Sequence, residues 1–468
     1  MKRLALTVAA LLLAACGGGG GGGTSPTAPN SPSAAVPATA TSMVQINLGD
    51  DPADRLMAVN VTVNSVALHG ADGRNVTVLS SPRPMELMHL MGTVAPLAVA
   101  NVPHGTYTGA TMTFGGATVM HMDPATGQAM QRQVTGPMTS HVTFSSPLVV
   151  GTAPMVVNFD MNMWASVGID SAGNVSMSPA LSAHHNAAVA GSQHPEQGGV
   201  HGLVGVVGGT GTNSFTLSMM QGLSGIPLTT HAGTHYEGTG GQHMMGAGQI
   251  VSVDAALQPD GTWIASHVQS HMASGGAMSS GVVATVTGAP PTQLVLVMHD
   301  GAGAGMAMSS LAGTTTVSIG DATAFAIDGT NVDLASLPFT PRFDRATVSA
   351  GQRIEALSTS PWSHGGGMHG MTGGGTLTAT SVRLAQQGLR GTVSGYTPSG
   401  TEATFVLTVP PEAAFAKLTG KTSVTVYQRA ATLRTGAANV TNGSVVQVRG
   451  LLFNDAGTLR LVASRVRM

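Results

Sequence analysis

Residues 364–371 read HGGGMHGM, so His364, Met368, His369 and Met371 fall within eight residues with only glycine between them. Imidazole and thioether suit soft metal ions, and thioether selects Cu(I) or Ag(I) over harder ones. Glycine allows a backbone to fold several such ligands around one ion. The chain carries 27 methionines and 17 histidines, and other glycine-embedded groups repeat the pattern. His243, Met244 and Met245 lie in GGQHMMGAG; His267, His271 and Met272 lie in SHVQSHMASGGAM; Met298, His299, Met306 and Met308 lie in VMHDGAGAGMAM. These residues are the candidate metal ligands, and Cu(I) is the cofactor they would take. The competing reading is a set of solvent loops of drifted composition that need no cofactor. Structural Zn²⁺ fits less well, because thiolates and well-placed carboxylates are lacking.

Other methionines point to packing. In RPMELMHLMG, residues 83–92, Met85, Leu87, Met88 and Met91 stand near helical spacing, which predicts a short helix with a core-facing side. Met120, His121 and Met122 lie together at a strand end. Asp50, Asp51 and Asp54 could hold Ca²⁺, but a loop capping a following helical turn suits them better. No nucleophile elbow, zinc-protease helix, phosphate loop or dinucleotide fingerprint is present, and carboxylates are too sparse to nominate a glycosidase pair. The residues nominate no catalytic group, and the chain reads as a non-enzyme.

The elements that carry these residues are strands. Charged residues are 9% of the chain, against about 25% in ordinary soluble proteins. The net charge is −2, and hydrophobic residues make up 42%. Such a chain, rich in Gly, Thr, Ser and Val, suits an exported β protein rather than a helical cytosolic enzyme. Short alternating runs recur, as in VNVTVNSVALH at 59–69 and GTYTGATMTF at 105–114, each bounded by turn residues.

Residues 17–42, GGGGGGGTSPTAPNSPSAAVPATATS, cannot bury a core and read as a tether. Residues 43–182 form a first folded unit, and 183–200 a linker. Three repeats follow at 201–273, 280–385 and 388–468. Each opens on a Gly/Val run, continues into an apolar strand, and has a second strand after a glycine. These second strands are GQIVSVDAAL, GQRIEALSTS and GSVVQVRGLL. Each repeat closes on Gly-Thr and a strand. About six short strands in each predict a small closed barrel, since closure removes exposed edges. The expected fold is all-β: an N-terminal β-sandwich, then three small OB-like β-barrel repeats.

Leu13-Ala14-Ala15-Cys16 ends an apolar stretch that follows Lys2 and Arg3, and it resembles the bacterial lipobox. That resemblance implies cleavage before Cys16, a diacylglyceryl thioether on it, and further acylation of the new N-terminus. More than one acyl chain gives stable anchoring. Gly17, in place of Asp, implies by the same resemblance the outer membrane rather than the inner one. The run NVPHGTYTGATMTF resembles the Pro-x-Gly-x-Tyr turn and strand of transthyretin-like sandwiches. Together with PMVVNFDMNMWASVGID it makes residues 43–175 similar to a bacterial lipoprotein domain of unknown function. The repeats resemble OB-like modules, also of unknown function, that accompany it. No catalytic residue is implied by either.

The last repeat is basic, with Arg390, Lys417, Lys421, Arg429, Arg434, Arg449, Arg460, Arg465 and Arg467 against Glu402, Glu412 and Asp455. An exported lipoprotein has little access to nucleic acid, so LRLVASRVRM reads as a charged, solvated edge strand. The expected partners are the membrane, through the lipid, and an envelope glycan or protein. The expected role is a non-enzymatic binding or structural module, with Cu(I) or Ag(I) binding as the alternative.

Overall fold

The structure, a computed structural model, describes residues 40–468 apart from 52–54, 89, 91–93, 124–128, 193–196, 220–224, 238–244, 259, 261, 273–275, 304–313, 330–331, 361–374 and 436–439. Thirty strands and two short helices are assigned among the described residues, so the chain is all-β.

Alternation sets the register of the first unit. Its strands are β1 (Thr41–Asp51), β2 (Leu56–Gly70), β3 (Asn75–Leu79), β4 (Arg83–Glu86), β5 (Val94–Pro103) and β6 (Gly105–Met122). After them come β7 (Ala129–Val134), β8 (Met138–Val150), β9 (Met155–Asn162), helix α1 (Met163–Ser166), β10 (Val167–Ile169), β11 (Val175–Met177) and β12 (Leu181–Ala187). Along β2, Val59, Val61 and Val63 face inward, and then Val66 and Leu68 do. The parity changes at a register shift between Val63 and Ser65, as a bulge requires. One sheet runs β12-β9-β1-β5. The other runs β3-β2-β6-β7, with β4 added on β2 and β8 on β6. Ile46 and Leu48 from the first sheet and Leu68, Tyr107 and Phe114 from the second meet in one core, which makes the unit a sandwich.

Three details depart from the sequence reading. Residues 83–86 form strand β4, antiparallel to β2, and not a helix. Met85, Leu87 and Met88 are buried as expected, but pairing with β2 overrides the helical spacing. The Glu86 carboxylate secures this arrangement by accepting the Val59 and Met88 N–H groups at 2.8 and 3.0 Å. Met91 lies outside the described residues. Residues 183–187 belong to β12, paired with β9, so the sandwich reaches Ala187. Asp50 is buried on β1, and the chain beyond the Asp run resumes as β2 rather than as a helical turn.

The first barrel holds β13 (Gly199–Thr210), β14 (Ser214–Met219), β15 (Ile226–Thr229), β16 (His235–Glu237), β17 (Ile250–Leu257) and β18 (Trp263–Met272). Pairing of β15 with β18 closes the ring, and β16 extends it along β18. The second holds β19 (Ala277–Gly288), β20 (Pro291–Gly303), β21 (Thr314–Ser318), β22 (Ala324–Ile327), β23 (Arg353–Ser358), β24 (Thr376–Thr378) and β25 (Ser381–Leu384). Its last strand is interrupted at Ala379 and Thr380: β24 pairs with β21 on one side and β25 with β23 on the other. The third holds β26 (Gln387–Ser399), β27 (Glu402–Thr408), helix α2 (Ala414–Thr419), β28 (Ser423–Thr435), β29 (Val445–Asp455) and β30 (Thr458–Arg467). It is a closed ring in the order β26-β27-β28-β30-β29, with β28 and β30 parallel. The basic terminal strand therefore lies inside a ring, between β28 and β29, and is not an edge.

The same two locks recur in all three barrels. Gly248, Gly351 and Gly443 turn the chain into the fourth strand at φ of +85°, +84° and +87°. The following Gln249, Gln352 or Ser444 side chain then accepts the N–H of the residue three positions before it. Thr234, Thr323 and Thr432 each accept an N–H from three residues earlier and donate to a carbonyl of the last strand or its break. The three carbonyls belong to Ala265, Ala379 and Ala463, at 2.7, 3.0 and 2.8 Å.

The units share apolar contacts. Leu451, Phe453 and Val462 of the third barrel complete the core of the second, against Leu294, Ile354 and Leu384. Met57, Met120 and Met122 of the sandwich pack on Val297 and Ala414. Ile250, Met278 and Leu357 join the first two barrels. Residues Ala40–Met468 form one compact unit.

Candidate functional site

A convergence of titratable side chains is built by three strands of the first barrel. On β16, β18 and β17, Tyr236, Val268 and Val253 face the barrel core. The alternate positions then share the opposite face. Parallel pairing sets His235 beside His267 and Glu237 beside Gln269, and antiparallel pairing sets Asp254 beside His267. The two imidazoles stack with centroids 5.4 Å apart. His267 Nε2 lies 3.4 Å from a Glu237 oxygen, and its Nδ1 lies 3.6 Å from an Asp254 oxygen. Gln269 donates to Glu237 at 3.2 Å. Arg383, on β25 of the second barrel, donates to Gln269 at 2.7 Å and pairs with Glu355 at 3.1 Å.

Chemically, this is an imidazole with a carboxylate at each ring nitrogen, wired through Gln269 to the neighbouring barrel. It can tie two barrels together. The rings stack rather than turn two nitrogens toward a common point, and among the described residues no three His, Cys, Asp or Glu side chains are placed to hold a metal ion.

The other sequence candidates distribute as follows. Met245 is partly buried against the first barrel's core. His271 and Met272 are the last residues of β18, and Met298 and His299 lie on β20; their backbones are described and their side chains are not. His243, Met244, Met306, Met308, His364, Met368, His369 and Met371 lie outside the described residues, as does Cys16. Met120 and Met122 serve the apolar junction with the barrels, while His121 is fully buried. Sequence reading missed His235, Glu237 and Asp254, because β16 is three residues long and meets β18 only through a parallel, non-local pairing.

It also missed a polar junction. Arg449 on β29 is partly buried and donates to the Leu90 carbonyl of the sandwich at 2.9 Å. Loss of water holds its guanidinium down to about 10, with Arg353 and Arg465 adding to the effect and Asp50 and Asp328 opposing it. It remains a cation at neutral pH. Arg467 pairs with Asp160 of the sandwich at 2.9 Å.

Residues 41–179 match a domain of unknown function, DUF4382, and residues 204–269 match a second, DUF5666. These are the sandwich and most of the first barrel. No curated protein matches the chain. Among solved structures, a deletion mutant of the single-stranded DNA binding protein from Thermus aquaticus is similar at 13% identity. That match covers 41% of this chain and 92% of that one at a TM-score of 0.14, which carries no argument.

Proposed function

We propose that this chain is a lipid-anchored cell-envelope protein acting as a non-enzymatic binding or structural module. The observation that carries the reading is the fusion of four units into one body. The second and third barrels share a core, and two arginines of the third barrel bond into the sandwich. A body of this kind presents fixed surfaces at the end of a tether and resists shear between its parts. The strand order first-second-third-fifth-fourth, with third and fifth parallel, supports an OB-like reading of the barrels. The Tyr107 hydroxyl, which donates to the Pro103 carbonyl at 2.8 Å, supports a transthyretin-like reading of the sandwich. The lipobox resemblance at Cys16 supports acylation and an outer-membrane address.

The test is metabolic labelling with palmitate, followed by membrane fractionation. The full chain takes up label and sediments with the outer membrane. Cys16→Ser takes up none and moves to the soluble fraction. An unlabelled, soluble wild-type chain overturns the reading.

A further inference from the structure

Trp164 stands on α1 and is 48% exposed, the one aromatic among the exposed large hydrophobic residues described. Two cations from different units converge on it. The Arg55 guanidinium, just before β2, lies 5.5 Å from the indole centroid, and that of Arg390, on β26, lies 6.0 Å away. Neither guanidinium forms an ion pair or hydrogen bond among the described residues. Two guanidinia that share one indole, with no carboxylate partner among the described residues, repel each other, and an anion placed between them relieves that repulsion. We propose that Trp164, Arg55 and Arg390 form a binding site for an acidic saccharide, one with a carboxylate on each sugar ring.

The chemistry selects that ligand. A pyranose ring offers a flat C–H face that stacks on indole, and its carboxylate takes the planar fork of a guanidinium. Nucleic acid would need a basic track for its phosphates, and among the described residues only Arg55 and Arg390 lie over the indole. A lipid surface would need apolar residues grouped around the indole. The other exposed large hydrophobic residues, such as Val149, Leu433 and Val445, are scattered along separate strands. The site goes beyond the scaffold reading and stands on residues that reading does not use. It needs no lipid anchor, so palmitate labelling and saccharide binding fail independently.

The experiment titrates the full chain in phosphatidylcholine nanodiscs with an oligomer of galacturonic acid, by calorimetry and tryptophan fluorescence. Its methyl ester, phosphatidylglycerol vesicles and single-stranded DNA serve as comparison ligands. The acid oligomer binds, the ester does not, and binding weakens with salt. Trp164→Ala weakens it about tenfold or more, and Arg55→Gln or Arg390→Gln each by about threefold to tenfold, while Trp164→Phe retains most of it. Thermal melts of the arginine variants confirm folding, so loss of binding reads the site. Equal binding of acid and ester, binding unchanged in Trp164→Ala, or a Trp164-dependent preference for vesicles or DNA overturns the proposal.

Discussion

Two side chains have opposite consequences at alkaline pH. Tyr107 is enclosed in the sandwich core, and burial raises its phenol above the ordinary value of 10.0, with Asp72 adding to that and Arg74 opposing it. The folded state then holds the phenol proton more tightly than the unfolded chain. That contribution is intact below pH 10 and is lost as pH rises through the higher folded value. Arg449 has the reverse sign: its folded value is depressed, so it is a cost at neutral pH that eases only above about pH 10. Tyr107→Phe is therefore expected to cost about 1 kcal/mol at neutral pH, by orphaning the Pro103 carbonyl, and to flatten the alkaline fall in stability. Urea melts at neutral pH and above pH 10 check both halves; an unchanged alkaline fall removes Tyr107 as its source. Arg449→Ala is expected to cost about 1–3 kcal/mol, since it removes the charged hydrogen bond to the Leu90 carbonyl and the packing of a partly buried side chain. Arg449→Met keeps most of the volume, removes a cation that Arg353 and Arg465 repel, and should stay within about 1 kcal/mol of wild type in the same melts.

At the scale of elements, the glycine before the fourth strand separates two costs that usually travel together. All three glycines sit near φ +85°, where an added Cβ is strained. At Gly443 nothing lies within 4 Å of that Cβ, so Gly443→Ala is expected to cost about 1 kcal/mol from backbone strain alone. At Gly351 the Cβ would stand 2.3 Å from Thr419 Cγ2, a contact between the second and third barrels, so Gly351→Ala should cost at least about 1 kcal/mol more. Equal losses in paired chemical melts would refute the contact as the source of the difference. These glycines were legible in the sequence because a turn that needs positive φ leaves the same residue in each repeat. Alternation likewise exposed β2 and β6, whose burial is local to each strand. The threonine locks were not legible: Thr234, Thr323 and Thr432 are ordinary turn residues until a segment 31, 56 and 31 residues later supplies the carbonyl. The helix expected at 83–92 failed for the same reason, since the partner that made Met85 part of a strand is β2, more than twenty residues upstream.

At the scale of the molecule, the shared core decides how the body unfolds. Phe453 belongs to β29 of the third barrel yet packs with Leu294 and Leu384 of the second. Removing its ring leaves a cavity in the core that the third barrel completes for the second, at a cost of about 3–5 kcal/mol. The sandwich and the first barrel each hold their own fluorophore, Trp164 and Trp263, far in sequence from Phe453. With Trp362→Phe as background, two further single-tryptophan chains report those units separately. If Arg449, Arg467 and the apolar junctions couple the units, both reporters follow one urea transition, and Phe453→Ala moves both midpoints together. If instead the body is a string of independent domains, Phe453→Ala creates an early transition in circular dichroism while the two reporters keep their wild-type midpoints. The second outcome would remove the fused body on which the structural-module reading rests, because a load or ligand taken at one unit would then reach the others only through the chain.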